Sequence, residues 1–486
     1  NLIGNLVIPN SVTEIGDNAF YECTELKGDL TIPNSIKTIG TSAFYKCSGF
    51  TGDLTIPNSV KTIGMWAFNG CSGFTGNLTI PNSVKTIGNS AFSGCYGFTG
   101  KLTISDSVTT IGTSAFFNCF KFTGDLTIPN SVKTIGNRAF YNCYGFTGNL
   151  TIPNSVTTIG ESAFMKCKGF TGDLTIPNSV TTIGNRAFQG CSGFTGKLTI
   201  SNSVTTIGKL AFSNSGFTGD LSLPKSLEVV AISSFQNCKN IKTINFQSLP
   251  EGISEYLDDQ KRTVSLSDDS YISDKASGTV NEISYTRKMS SDWGTLVLPY
   301  PLTLTGNKPY RLYTIENMNG DELVLKQLDK KDVLAGTPCV VKRNGSETEL
   351  TFGANNAALN MATEGKTVGD MTFRGTYWTE EVNSGYVISK NSFWNVAELN
   401  KSDLVKGVKV KPFRAWLDGT SPNGASQLSI CVSDTATGIG AAGTIDVLND
   451  TATEYYDLSG KRLDELQRGV NIVRMKSGKT KKIIIK

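Results

Sequence analysis

Apolar and polar positions alternate briefly along this chain and then stop: Leu54 and Ile56 are apolar, Asp53 and Thr55 are polar, and Pro57-Asn58-Ser59 follows at once. The alternation predicts a short strand with Leu54 and Ile56 on one face. Pro57 ends it, because proline has no N–H for the next ladder bond. Asn58 and Ser59 are turn residues. Val60 and Ile63 return inward, and Ala67, Phe68 and Cys71 have the i, i+1, i+4 spacing of a short helical turn facing a core. Phe74 closes the unit, and the pattern begins again. Units open at Gly4, Gly28, Gly52, Gly76, Gly100, Gly124, Gly148, Gly172, Gly196 and Gly219. The cysteines from Cys23 to Cys191 keep a strict spacing of 24 residues; the last unit has lost one residue and follows Ser215 in the cysteine slot. A fixed period of this length means one supersecondary unit copied and stacked, a solenoid. Equivalent strands about 4.8 Å apart make ten units a parallel sheet roughly 45–50 Å long. Gly64 recurs from Gly16 to Gly208, which fits a tight or left-handed backbone position.

The pattern L-x-I-P-x-x-V-x-x-I-G-x-x-A-F-x-x-C, repeated over residues 1 to 247, resembles the BspA-like leucine-rich repeats of Bacteroides-type surface proteins. The resemblance implies a leucine-rich-repeat solenoid of short parallel strands plus short helical turns. It also implies a bacterial cell-surface or secreted adhesin that attaches to host matrix protein, glycan or another cell. It names no ligand. The chain starts at Asn1, and Leu2-Ile3-Gly4 reads as the tail of a preceding repeat; a signal peptide or anchor is therefore expected outside this numbering. The cysteine column reads as disulfide or metal chemistry, or as small buried apolar residues. Parallel inward vectors seldom give the disulfide torsion, and Ser215 fills one slot, so buried free thiols are expected.

From Arg262 the period stops and short β-type runs take over, such as Thr295-Leu296-Val297-Leu298 and Leu428-Ser429-Ile430-Cys431. Many short strands with Gly and Asn turns predict an all-β sandwich-like domain over 262–432. Strings such as Trp293-Gly294-Thr295-Leu296 and Pro412-Phe413-Arg414-Ala415-Trp416 resemble modules found behind repeats in such surface proteins. Residues 433–452 are small and polar and read as a linker. Residues 453–486 resemble small C-terminal β modules of exported proteins, some of which act as sorting signals; a plain strand-rich cap is the other reading. Cys339 and Cys431 either pair or remain buried thiols. Asp434-Thr435-Ala436, Asp450-Thr451-Ala452 and Asp106-Ser107-Val108 resemble a bacterial O-glycosylation acceptor.

Charge and composition narrow the function. Among 486 residues, 46 basic and 42 acidic side chains leave a net charge of +4, without the concentrated basic face of a nucleic-acid binder. No apolar run is long enough for a transmembrane helix. Histidine is absent, which removes Ser-His-Asp and Cys-His catalysis and the commonest metal ligand; no cofactor is expected. The outward strand column mixes Asp29, Asn77 and Lys101, and its neighbour is threonine from Thr31 to Thr199, a flat array that suits glycans or ice, although strand propensity is the stronger account. Aromatic residues concentrate near the Ala-Phe turn. Phe117, Tyr141 and Met165 share one column, Tyr96, Phe120 and Tyr144 another, and Trp66 lies nearby. Other units hold Ser72, Ser93, Ser192 or Gln189 in these slots, so they face solvent. An exposed aromatic cluster marks a contact surface; packing against a loop is the alternative. The expected function is non-enzymatic binding of an extracellular protein or glycan. The alternatives are a polysaccharide-acting enzyme using paired carboxylates in 262–432, where Glu380, Glu381 and Asp418 are scattered candidates, and a structural spacer.

Overall fold

The computed structural model describes residues 2–231, 233–251, 253, 261–328, 332–389, 391–400, 408–433, 452–456, 462–463, 469–475 and 480–485. The chain divides into two compact units, Asn1–Thr286 with Thr351–Met361, and Arg287–Leu350 with Ala362–Lys486.

The first unit is the solenoid. The Thr-Ile pairs of successive turns, from Glu14–Ile15 to Val229–Val230, form one parallel ten-stranded sheet. Its register is the repeat period itself, with Thr38 opposite Thr62 and Ile39 opposite Ile63. A second stack holds the Leu-Thr-Ile strands, as where Leu78 pairs with Leu102. Between the stacks lie Leu54, Ile56, Val60, Ile63, Ala67, Phe68, Cys71 and Phe74, none more than 5% exposed. Phenylalanines make two continuous columns. Phe68 stacks on Phe44 at 5.3 Å and on Phe92 at 5.4 Å, and Phe74 meets it edge-on at 72°, a favourable geometry for ring quadrupoles.

The Ala-Phe segment puts the expected side chains inward, but through a different backbone from a helical turn. The N–H groups of Ala67, Asn69 and Cys71 close turns on the carbonyls of Gly64, Trp66 and Phe68 at 3.3, 3.1 and 3.1 Å. Those of Trp66, Phe68 and Gly70 reach Asn89, Ala91 and Ser93 of the next turn at 2.9, 2.8 and 2.7 Å. A helix uses its N–H groups on its own chain four residues back; this alternation instead ties neighbouring turns together. It needs left-handed backbone at two slots, φ 55° at Trp66 and 74° at Gly70. The second slot is mostly Gly or Asn, as in Gly94, Asn118, Asn142 and Gly190, the residues that tolerate it best. Among the described residues the only α-helix is Val396–Asn400. Gly64 has ordinary φ; a Cβ there would meet the carbonyl carbon of Gly40 at 2.6 Å. The slot is glycine because neighbouring turns approach so closely.

The sheet continues after the repeat ends. Ile241–Phe246 pairs in parallel with Lys261–Leu266, which pairs with Gly278–Lys288, and Glu349–Leu359 is outermost. These strands cover an edge that would otherwise present open N–H and C=O groups. The compact unit thus extends past residue 247.

The second unit is built from two five-stranded halves joined where Phe393 pairs with Leu428. One half runs Trp293–Leu296, Cys339–Arg343, Tyr310–Asn319, Glu322–Gln327, Gln427–Ser433; the other runs Ser392–Asn395, Tyr386–Ser389, Arg414–Asp418, Met371–Thr376, Lys366–Val368. Trp293, Tyr313, Leu323 and Leu325 from one half pack with Phe373, Tyr386, Phe393 and Leu417 from the other in a single core. Cys339 and Cys431 are free thiols. Their strands are three places apart in the sheet, about 14 Å, twice the reach of a disulfide. At the C-terminal end, Ala452–Tyr456, Arg462–Leu463, Gly469–Met475 and Thr480–Ile485 form an antiparallel sheet. Residues 434–451, which hold most of the expected linker with Asp434-Thr435-Ala436 and Asp450-Thr451, lie outside the described residues.

Candidate functional site

The cysteine column is a ladder of buried thiols. From Cys47 to Cys191 each Sγ–H donates to the phenylalanine carbonyl of the preceding turn, Cys71 to Phe44 at 2.9 Å, Cys119 to Phe92 at 3.0 Å and Cys143 to Phe116 at 3.0 Å, while the half-buried Cys23 of the first turn lies 3.9 Å from the Tyr21 carbonyl. Ser215 continues the column, 3.3 Å from Cys238 Sγ. All eleven cysteines are free. Burial pushes the Cys47 and Cys191 thiols up to about 12, and those of Cys71, Cys95, Cys143 and Cys167 well above the ordinary 9.0. Thiols kept protonated in this way are poor nucleophiles and poor metal ligands. The column is structural.

The aromatic columns become two rows of stacked rings. Tyr96, Phe120 and Tyr144 stack in series at 5.6 and 5.3 Å, nearly parallel at 5° and 12°. Phe117 stacks on Tyr141 at 4.8 Å, and the Lys166 ammonium lies 5.7 Å from the Tyr141 centroid. The two rows flank the buried Cys119 and Cys143, three residues apart on one turn segment. Tyr96 and Tyr144 are each 45% exposed, while Phe117, Phe120, Tyr141 and Met165 are half-buried. Stacking covers both faces of Phe120 and one face of Tyr96 and of Tyr144 at the ends of the row. Lys121, Arg138, Lys166 and Lys168 are exposed beside the rows. Trp66 stands apart from them. It is 43% exposed beside the exposed Met65 and stacks on no other ring among the described residues.

Sequence reasoning passed over one pair in the same column. Tyr21 and Tyr45 stack at 4.8 Å, with the Lys46 ammonium 5.2 Å from the Tyr45 centroid and 2.8 Å from Glu22. The signal was available, since residues 21 and 45 share the repeat phase of 117 and 141.

The threonine column is exposed and in register, Thr79 opposite Thr103 and Thr175 opposite Thr199. Thr151, Thr175 and Thr199 with Asn154, Asn178 and Asn202 line an open groove of about 630 Å³. Ser107 is half-exposed and Val108 fully buried. In the second unit Asp418 is bonded to Arg374 Nε at 2.9 Å. Glu380 and Glu381 are exposed neighbours on one short strand. Neither the cleft at Tyr310 and Asn344 nor that at Arg287 and Lys409 is lined by a carboxylate. Among the described residues, no helix is long and apolar enough to cross a membrane.

Comparison with known proteins agrees with the repeat. The family described as the BspA type leucine rich repeat region matches residues 2–122, 51–171 and 170–259, with six copies. Among solved structures, a leucine rich cell surface protein from Faecalibacterium prausnitzii is 29% identical over 50% of this chain and 73% of that one, with a TM-score of 0.36. A leucine-rich repeat protein from Bacteroides ovatus is 22% identical over 55% and 87%, with a TM-score of 0.28. The pneumococcal vaccine antigen PcpA is 22% identical over 57% and 79%, with a TM-score of 0.36. A search of the curated proteins finds no match. With ten stacked turns, a shared register and a family match across the whole repeat region, the chain belongs to the BspA type leucine-rich repeat family.

Proposed function

We propose that this chain is a non-enzymatic interaction protein of the bacterial surface, an adhesin that binds an extracellular protein through the two aromatic rows of its solenoid. The observation that carries the reading is the stack Tyr96–Phe120–Tyr144 beside Phe117–Tyr141. Sugars are gripped on open ring faces, and here the inner faces are taken by neighbouring rings. The rows form an amphipathic strip of rings and phenols beside Lys121, Arg138, Lys166 and Lys168. Tyr and Arg dominate protein–protein hot spots, so the strip fits a protein patch with an apolar centre and a carboxylate rim. A spacer with no ligand would not need exposed Trp66, Tyr96 and Tyr144.

The test is the full chain carrying F117S, F120S, Y141S and Y144S, against purified extracellular-matrix proteins. Ser already occupies these slots in other turns, as Ser72 and Ser93, so the variant is expected to fold. Loss of about two hot-spot side chains' worth of contact lowers affinity at least about a hundredfold. Unchanged affinity, or a variant that cannot fold, would overturn the reading.

A further inference from the structure

One slot of the repeat, two residues before the inward Ile of the ten-stranded sheet, holds Thr13, Lys37, Lys61, Lys85, Thr109, Lys133, Thr157, Thr181 and Thr205. The four lysines are exposed; Lys37, Lys61 and Lys85 stack on successive turns, Lys61 N–H donating to the Lys37 carbonyl at 2.8 Å, and Lys133 follows beyond Thr109. At two of the threonine turns the hydroxyl adds a bond to the preceding turn: Thr109 Oγ1 to the Lys85 carbonyl at 3.2 Å, and Thr157 Oγ1 to the Lys133 carbonyl at 3.3 Å. Lysine cannot make that bond, and it lines up like charges, which destabilises a ladder. Threonine is thus the residue the fold prefers, and these turns forgo it.

Acidic side chains are sparse along the row: the nearest are Glu14, opposite Thr38 on the turn before Lys37, and Asp106. Residues 31–40, 55–64, 79–88 and 127–136 contain no Asp or Glu, and the intervening turn, which carries Asp106, has Thr109 in the slot. Among the described residues none of the four ammonium groups has an ion pair, whereas Lys46 is paired with Glu22 at 2.8 Å. Acidic and amide side chains elsewhere serve the stack. Asp17 and Asp173 accept the backbone N–H of Thr41 and Lys197, both at 2.6 Å, and Asn137 that of Glu161 at 2.8 Å. The lysines have no such structural part.

We propose that Lys37, Lys61, Lys85 and Lys133 form a binding row for an extended anionic polysaccharide, a site separate from the aromatic rows. Turns rise about 4.8 Å apart, close to the length of one sugar unit. Successive sulfate or carboxylate groups of one strand can therefore meet successive lysines. The flanking exposed side chains, Asn34, Asn58, Asn82, Thr62 and Thr86, supply donors and acceptors for sugar hydroxyls. The row carries none of the interleaved aromatic residues on which single-stranded nucleic acid stacks.

The test uses heparin as the probe and the full chain with K37T, K61T, K85T and K133T. The variant adopts residues that other turns already hold, and is expected to resist urea at least as well as the parent. Heparin affinity at about 0.15 M salt should fall at least about tenfold on loss of four exposed ion pairs. The F117S, F120S, Y141S and Y144S variant should keep its heparin affinity, which separates failure here from failure of the protein-binding reading. A parent that does not bind heparin, a lysine variant that binds unchanged, or single-stranded DNA competing as well as heparin would each overturn the proposal.

Discussion

Raising the pH from 8 to 10 should destabilise the solenoid through its own cysteines. Burial holds the thiols from Cys47 to Cys191 protonated, with pKa values raised above the ordinary 9.0 at all seven. The sign follows from where the protons are. In the folded chain these thiols stay neutral through pH 10; in the unfolded chain they ionise near 9. Above that pH the unfolded state sheds protons that the folded state keeps, so the stabilisation is complete below about pH 9 and is lost as pH rises. At pH 10 the loss per site is about 1 kcal/mol, on the order of 10 kcal/mol for seven independent sites, and at pH 9 about 3 kcal/mol in total. Ten kcal/mol is comparable to the whole stability of an ordinary domain. The assay is urea unfolding of the full chain under reducing conditions at pH 8, 9 and 10, with thiol labelling to follow the solenoid. The triple variant C95A, C119A and C143A serves as partner. It lacks three of the seven sites, so its loss between pH 8 and 10 should shrink to about 6 kcal/mol. A urea midpoint that does not move with pH, or that moves equally in both proteins, would refute the reasoning.

Other consequences follow from the same stack. Phe116 is fully buried between Phe92 at 5.6 Å and Phe140 at 5.4 Å, so Phe116→Ala should cost about 3–5 kcal/mol in urea unfolding; a loss under about 1 kcal/mol would mean the column can collapse. Trp66 is held at φ 55°, and Trp66→Asn, the residue found in that slot at Asn18, should raise stability by about 1 kcal/mol, read as a higher melting temperature. The F117S, F120S, Y141S and Y144S variant should lose its three ring stacks, at about 0.5–1.5 kcal/mol each, and still melt cooperatively.

The solenoid was legible in the sequence because its period is exact from Cys23 to Cys191 and its inward slots are close to uniform in chemistry. Leu54, Ile56, Val60, Ile63, Ala67, Phe68, Cys71 and Phe74 were assigned inward by spacing alone, and all are buried. The backbone of the Ala-Phe segment was less legible. Two inward neighbours followed by a third four residues on fit both a helical turn and a run of turns with left-handed slots, and only hydrogen bonds between turns distinguish them. The recurrence of Gly70, Gly94, Asn118 and Asn142 in one slot was the available clue. The strands that cover the end of the solenoid were less legible still. Thr263-Val264-Ser265-Leu266 reads as a strand, but sheet partners lie far apart in sequence, and no local pattern says that it pairs with Asn245 and Phe246. At the candidate surface, repeat phase gave the columns, and stacking set which ring faces are covered. The Tyr21–Tyr45 pair shows that phase should be followed through all the turns.

The central claim is that the aromatic rows of the solenoid are a protein-binding surface, and its most direct test is a side-by-side affinity measurement. The full chain and its F117S, F120S, Y141S and Y144S variant would be passed over immobilised purified matrix proteins, with urea unfolding confirming that both are folded. The account predicts saturable binding of the parent to at least one of them, weakened at least about a hundredfold in the folded variant. Equal binding by the two folded proteins would contradict it.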